Sequence, residues 1–234
     1  MPGTRSPTKS INLPTNRRSA RTNRGNLGAV APGGSQGRGS IRCVHTDLDV
    51  ALRDPSQVVA LDLSVSKLST FPDPIAQLVE LEELDLNTNA IAALPASIGG
   101  LSKLRKLVLS SNAVRELPPE LFELRNLTQL QLGKNPLTEL PDALGKLTNL
   151  VMLGLAGTRV TTLPSTIGAL SNLRHLFLAE STIAWFPDEI GALAGTLEEV
   201  TLEKTLHLSA TEVEKLNALL PNSTIHVDEH WHLR

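Results

Sequence analysis

Residues 81–103 read LEELDLNTNAIAALPASIGGLSK, and the chain repeats this stretch along most of its length. Copies led by an apolar residue start at Val58, Leu81, Leu104, Leu127, Leu150, Leu173 and Leu197. The step is 23 residues except for the last, which is 24 and absorbs one residue near Gly195-Thr196. Counting slots from each leading residue, slot four is leucine from Leu61 to Leu176 and Val200 in the last copy. Slot six is leucine from Leu63 to Leu202, and a Leu-Pro or Phe-Pro pair closes each half, from Phe71-Pro72 to Phe186-Pro187. A fixed period of this length marks a solenoid, in which each copy buries its apolar face only against its neighbours. The repeat therefore predicts one elongated α/β domain rather than two small globules.

Within a copy, strand side chains alternate with period two, so slots four and six point inward and slots three and five point out. Seven such strands, about 4.8 Å apart, make a parallel sheet about 30 Å long. Slot nine reads Ser66, Asn89, Asn112, Asn135, Thr158, Ser181 and Thr205. A polar residue there is expected to bond backbone groups where the strand bends away, because an unsatisfied buried group costs about 1–3 kcal/mol. After each proline, an Ile or Leu (Ile75 to Ile190) and a Leu (Leu78 to Leu193) complete the core. Outer segments such as Pro95–Leu101 are too short for regular helices and suit tight turns.

Both ends need covering, since a terminal copy exposes its core on one side. Thr46–Arg53 predicts a short helix with Thr46 or Asp47 as N-cap and Leu48, Val50, Ala51 and Leu52 as contacts. Ser209–Leu220 predicts an amphipathic helix with Ser209 as N-cap and Glu212 completing a capping box. Its buried face is Val213, Leu216, Leu219 and Leu220, and Thr224–Val227 offers a closing strand. The expected organisation is a tail over 1–45, a cap over 46–57, repeats over 58–208 and a helical cap and tail over 209–234.

Residues 1–46 hold eight basic residues and no acid; the rest holds 14 of the 22 basic residues and all 24 acids, a net of −10. The tail is rich in Gly, Pro, Ser, Thr, Asn and Arg, too poor in apolar surface to offset an ordering entropy of about 1–2 kcal/mol per residue, so it is expected to be disordered. Besides a solvated tail, three readings compete: contact with nucleic acid or an anionic surface through Asn16–Arg24, an organelle transit segment, or folding back on the acidic domain. Aromatic residues are absent there, which removes base stacking. The single cysteine, Cys43, implies no disulfide-forming compartment. No apolar run approaches the ~20 residues of a membrane helix, and no apolar leader core is visible, so a cytoplasmic monomer is the expectation. The sequons at Asn126 and Asn222 read as chance matches.

The slots together resemble the leucine-rich repeat, LxxLxLxxNxLxxLPxxIGxL, and the copy at Leu81–Leu101 fits almost letter by letter. The LPxxIGxL half is similar to the class found in plant intracellular Ras-group-related proteins, bacterial repeat proteins and Ras-pathway scaffolds. The resemblance implies a curved solenoid with its parallel sheet on the concave side, and a partner polypeptide bound there. Ser66, Thr158, Ser181 and Thr205 depart from the family's asparagine.

The outward strand slots are then the informative ones. Slot three reads Ala60, Glu83, Lys106, Gln129, Met152, His175 and Glu199; slot five reads Asp62, Asp85, Val108, Gln131, Gly154, Phe177 and Thr201. Val108, Met152 and Phe177 beside small Gly154, Ala156, Gly157 and Ala179 predict a shallow apolar floor with an acidic rim, a pattern that marks interaction sites. The expected anchors are Phe177, Met152 and Val108. His175, Gln129 and Gln131 are the polar contacts, Glu83 and Asp85 the rim favouring a basic partner protein, and Lys106 belongs to the same partner-binding set. Catalysis finds little support: His175 has no adjacent nucleophile, and no phosphate-binding GxxxxGK[ST] loop exists. His226, His230 and His232 with Asp228 and Glu229 are the one metal-ligand grouping, read as merely polar. The expectation is a non-enzymatic scaffold or signalling adaptor without cofactor or metal, with tail-mediated nucleic-acid or anionic-surface binding as the alternative.

Overall fold

The computed structural model describes residues 44–205 and 207–228, all within one compact unit, Ile41–Arg234. Residues 1–43 of the tail expected over 1–45, with the Cys43 thiol, and Glu229, His230, Trp231 and His232 lie outside the described residues.

Among the described residues, nine strands follow one another in chain order through a single open parallel sheet. They are β1 (Val44–His45), β2 (Ala60–Asp62), β3 (Glu83–Asp85), β4 (Lys106–Val108), β5 (Gln129–Gln131), β6 (Met152–Gly154), β7 (His175–Phe177), β8 (Glu199–Thr201) and β9 (Thr224–His226). From β2 to β8 each strand is slots three to five of its copy, paired like with like, as in Leu61↔Leu84 and Leu153↔Leu176. Eight steps of about 4.8 Å make a sheet about 38 Å long. Seven strands were expected from the repeat. Val44 and His45, assigned from the sequence to the tail, instead pair with Ala60 and Leu61, so the tail boundary moves back before residue 44. At the other end Thr224 pairs with Glu199.

The remaining slots fall where burial requires. The Ile/Leu pairs after each proline are fully buried, as are the slot-four and slot-six leucines of the middle copies. The outer segments form single 3-10 turns: Asp73–Gln77, Ala96–Gly100, Pro119–Glu123, Asp142–Lys146, Ser165–Ala169 and Asp188–Leu193. The proline before each turn has φ between −66° and −75°, the value its ring imposes, so chain direction is set before the turn begins.

Slot nine works in two chemistries. Asn135 accepts from Val114 N at 2.9 Å and donates from Nδ2 to Leu109 O and Leu132 O at 2.9 and 2.8 Å. Asn89 and Asn112 do the same, each reaching into the copy before it. Thr158 and Thr205 instead donate their hydroxyls to Leu155 O and Leu202 O of their own copies, and Ser181 Oγ accepts from Ile183 N. Ser66 departs from the expected burial: it is exposed, and its hydroxyl donates to Ser64 O.

Slot eight holds a regularity with no counterpart in chemistry. Val65, Thr88, Ser111, Lys134, Gly157, Glu180 and Lys204 all have positive φ, from 54° to 69°. There the chain turns out of the strand while the N–H still donates to the next copy, as Thr88 N does to Ser110 O. Branched residues tolerate this region poorly, at about 1–2 kcal/mol relative to the right-handed one. Val65→Gly is therefore expected to raise the unfolding free energy by about 0.5–1 kcal/mol, and Gly157→Val to lower it by at least as much. At Gly157 a Cβ would also sit 3.1 Å from Lys134 Cγ. Urea denaturation of the two variants checks this, and a less stable Val65→Gly would sink the strain argument.

At the ends, α1 (Leu48–Ala51) is capped by Asp47, whose side chain accepts from Val50 N. Ala51 is buried and Leu48 and Leu52 pack on the core, whereas Val50, expected as a contact, is 45% exposed. In α2 (Ala210–Leu219), Ser209 Oγ accepts from Glu212 N, and Val213, Leu216 and Leu220 are buried. The Glu212 carboxylate, expected to close a capping box, instead accepts from Phe186 N at 3.1 Å, tying the helix to the last Phe-Pro turn. Trp185 is 49% exposed beside that turn.

Candidate functional site

The slot-three and slot-five side chains of β3 to β7 stand on one face of the sheet because the intervening slot-four leucines point into the core. Glu83, Asp85, Lys106, Val108, Gln129, Gln131, Met152, His175 and Phe177 are all brought together there, each half-buried beside a fully buried leucine. The middle of this face is more polar than an apolar floor. Gln131 Nε2 donates to Met152 Sδ at 2.9 Å. Its side chain lies across Gly154, where a Cβ would meet Gln131 Oε1 at 1.9 Å. The glycine thus makes room for an amide, and the apolar surface divides into Val108 on one side and Phe177 on the other.

At the amino-terminal end Asp62 and Asp85 are cross-strand partners, and each gives one carboxylate oxygen to a nearby N–H, of Ser64 and Asn87. Burial pushes the Asp85 carboxyl above its ordinary value; the Asn87 N–H and Lys106 pull it down and the Asp62 charge pushes it further up. An unfolded aspartate loses its proton near pH 3.9, the folded Asp85 only at higher pH. Through that window the folded state holds the extra proton, so stability falls as pH rises. Asp85→Asn keeps an oxygen for Asn87 N and is expected to raise the urea midpoint at pH 7. The advantage should shrink as the pH is lowered through the window and vanish below it; a variant no more stable than the parent at pH 7 would contradict the burial argument.

At the other end His175 and Phe177 form a parallel ring pair, and His175 Nδ1 lies 3.2 Å from Glu199 Oε2. His226 Nε2, on β9, lies 3.2 Å from Glu199 Oε1. In the sequence Glu199 is only the slot-three residue of the last copy, and His226 a member of a terminal histidine grouping. Extending the slot frame past α2, to align Thr224–His226 with slots three to five, is the signal that places His226 on this face. Asp228, from the same grouping, accepts from Lys204 N. Among the described residues, no group of three or more His, Cys, Asp or Glu is placed to hold a metal ion, and no helix is long and apolar enough to cross a membrane.

A family model described as a leucine-rich repeat region matches residues 119–228. A solved leucine-rich repeat protein of Leptospira interrogans superposes with a TM-score of 0.61 at 29% identity, covering 79% of this chain and 58% of that one. The chain is a leucine-rich repeat protein. Two further similar structures are of plant receptors in complexes. One is the ectodomain of the plant membrane receptor kinase GASSHO1/SCHENGEN3 from Arabidopsis thaliana in complex with Casparian strip integrity factor 2. It shares 29% identity at a TM-score of 0.61, over 74% of this chain and 22% of that one. The other is the plant peptide hormone receptor RGFR1 in complex with RGF2, at 31% identity and a TM-score of 0.55, over 65% of this chain and 28% of that one. This leucine-rich repeat chain therefore spans less than two thirds of the length of each. Among curated proteins the sequence finds no significant match.

Proposed function

We propose that this leucine-rich repeat protein is a non-catalytic interaction module, a scaffold or adaptor that docks a partner polypeptide on the outward slots of β3 to β7. The carrying observation is the alignment of half-exposed Val108, Met152, His175 and Phe177 on one face, interleaved with amides and ending in acid at either side. Similar folds seen with ligands support the reading. The acidic balance of residues 47–234 favours a basic partner.

Phe177→Ala and Met152→Ala are each expected to weaken partner binding by more than about 1 kcal/mol, as buried anchors do. Loss at Met152 has a second source, because Gln131 would lose its thioether acceptor. Titration calorimetry with a partner captured on the full chain tests this, and unchanged affinity in both variants would remove the face from consideration. Repeating the capture at two salt concentrations, with and without residues 1–40, separates this reading from binding through the basic tail.

A further inference from the structure

His175 and Phe177 are the outward residues of one strand, so both stand on the same side of the sheet. Their rings lie within 10° of parallel, with centroids 6.2 Å apart. Glu199, on the neighbouring strand, is 3.2 Å from an imidazole nitrogen on each of its oxygens. A carboxylate only accepts, so His175 Nδ1 and His226 Nε2 are the donors, and Glu199 is fixed from both sides. Its oxygens retain further lone pairs, and the three side chains stay 30–34% exposed. The result is aromatic surface beside a positioned negative charge.

We propose that the Phe177–His175–Glu199 cluster reads an arginine of the partner: the planar guanidinium stacks on the two rings while its N–H groups bond the outward lone pairs of Glu199. This rests on the partner-docking reading above and specifies its chemistry. A guanidinium is flat, weakly hydrated and stacks on aromatic faces, whereas an ammonium is compact and strongly hydrated. Charge complementarity points the same way. Residues 47–234 carry a net charge of −10, and the nearby cations Arg174 and Lys204 are taken up by Glu198 and Glu180. A neutral side chain laid on the rings would strip water from Glu199 and give it no counter-charge.

The test is an NMR titration of the full chain, labelled in histidine and phenylalanine rings, with a blocked pentapeptide carrying a central arginine among glycines. Lysine and citrulline versions of the peptide serve as comparisons. Expected are shifts of the His175 and Phe177 ring signals, and affinity for the arginine peptide at least tenfold above the citrulline peptide and also above the lysine one. Phe177→Ala and Glu199→Gln should each lower the arginine affinity at least fivefold. Equal binding of arginine and citrulline peptides, or rings that do not respond, overturns the assignment. With a captured partner, a loss from Phe177→Ala without one from Glu199→Gln overturns the arginine reading and leaves the docking face standing. No loss from either overturns both.

Discussion

Replacing Asn135 by alanine is expected to lower the unfolding free energy by about 3 kcal/mol. The side chain is 2% exposed and serves groups on either side of a copy boundary. Alanine leaves the N–H of fully buried Val114 without the Oδ1 it donates to, and Leu132 O without its amide donor. Leu109 O still accepts from Asn112. Two buried groups left unpaired at about 1–3 kcal/mol each set the magnitude. Thr158→Ala is the control: Leu155 O loses a hydroxyl but keeps the bond from Thr158 N, so a loss of about 1 kcal/mol is expected. Guanidinium denaturation of both variants, read by circular dichroism, tests the contrast. Similar losses would mean that the asparagines do not stitch copies together.

A second large effect is expected at Phe122, where truncation to alanine should cost about 3–5 kcal/mol. Other copies put a small residue at this slot: Ala76, Gly99, Gly145, Gly168 and Gly191. The glycines are needed because the turns pack closely; a Cβ on Gly145 would stand 2.8 Å from Thr166 Cβ, and one on Gly168 would stand 2.5 Å from Glu189 O. Phe122 nonetheless has no exposed surface. The position equivalent to Thr166 and Glu189 in the following copy is Ala143, which packs against the core, so a large residue meets a small one. Phe122→Ala empties that space, and neighbours held by their own prolines and leucines collapse into it only in part. Thermal unfolding of the variant checks the loss; a cost under about 1 kcal/mol would show that the ring is dispensable packing.

The solenoid was legible because its leucines recur at fixed slots and alternate with period two within each strand. The same alternation told which residues leave the core, so the outward face from Glu83 to Phe177 could be read before any contact was known. The left-handed row at slot eight was hidden, since Val65, Thr88, Lys134 and Glu180 share a backbone angle and no chemistry. β1 was hidden for a related reason: two residues carry no alternation, and their strand geometry comes from pairing with β2. Contacts within the face depend on rotamers. No pattern announces that Gln131 lies over Gly154, or that Glu199 sits between histidines from two other strands.

Synthesis delivers the copies from Val58 onward one at a time, and one set of the backbone hydrogen bonds between copies runs forward along that order. The N–H groups of Leu63 and Val65 are taken by carbonyls of Asp85 and Asn87 in the copy after, and the pattern continues to Leu178 and Glu180. A nascent chain on the ribosome is thus never finished at its growing edge, because each unit is completed by its successor. For the last copy the successor is a substitute: Leu202 N goes to His226 O and Lys204 N to the Asp228 carboxylate. Termination of translation before residue 224 would release a molecule whose edge still seeks a strand.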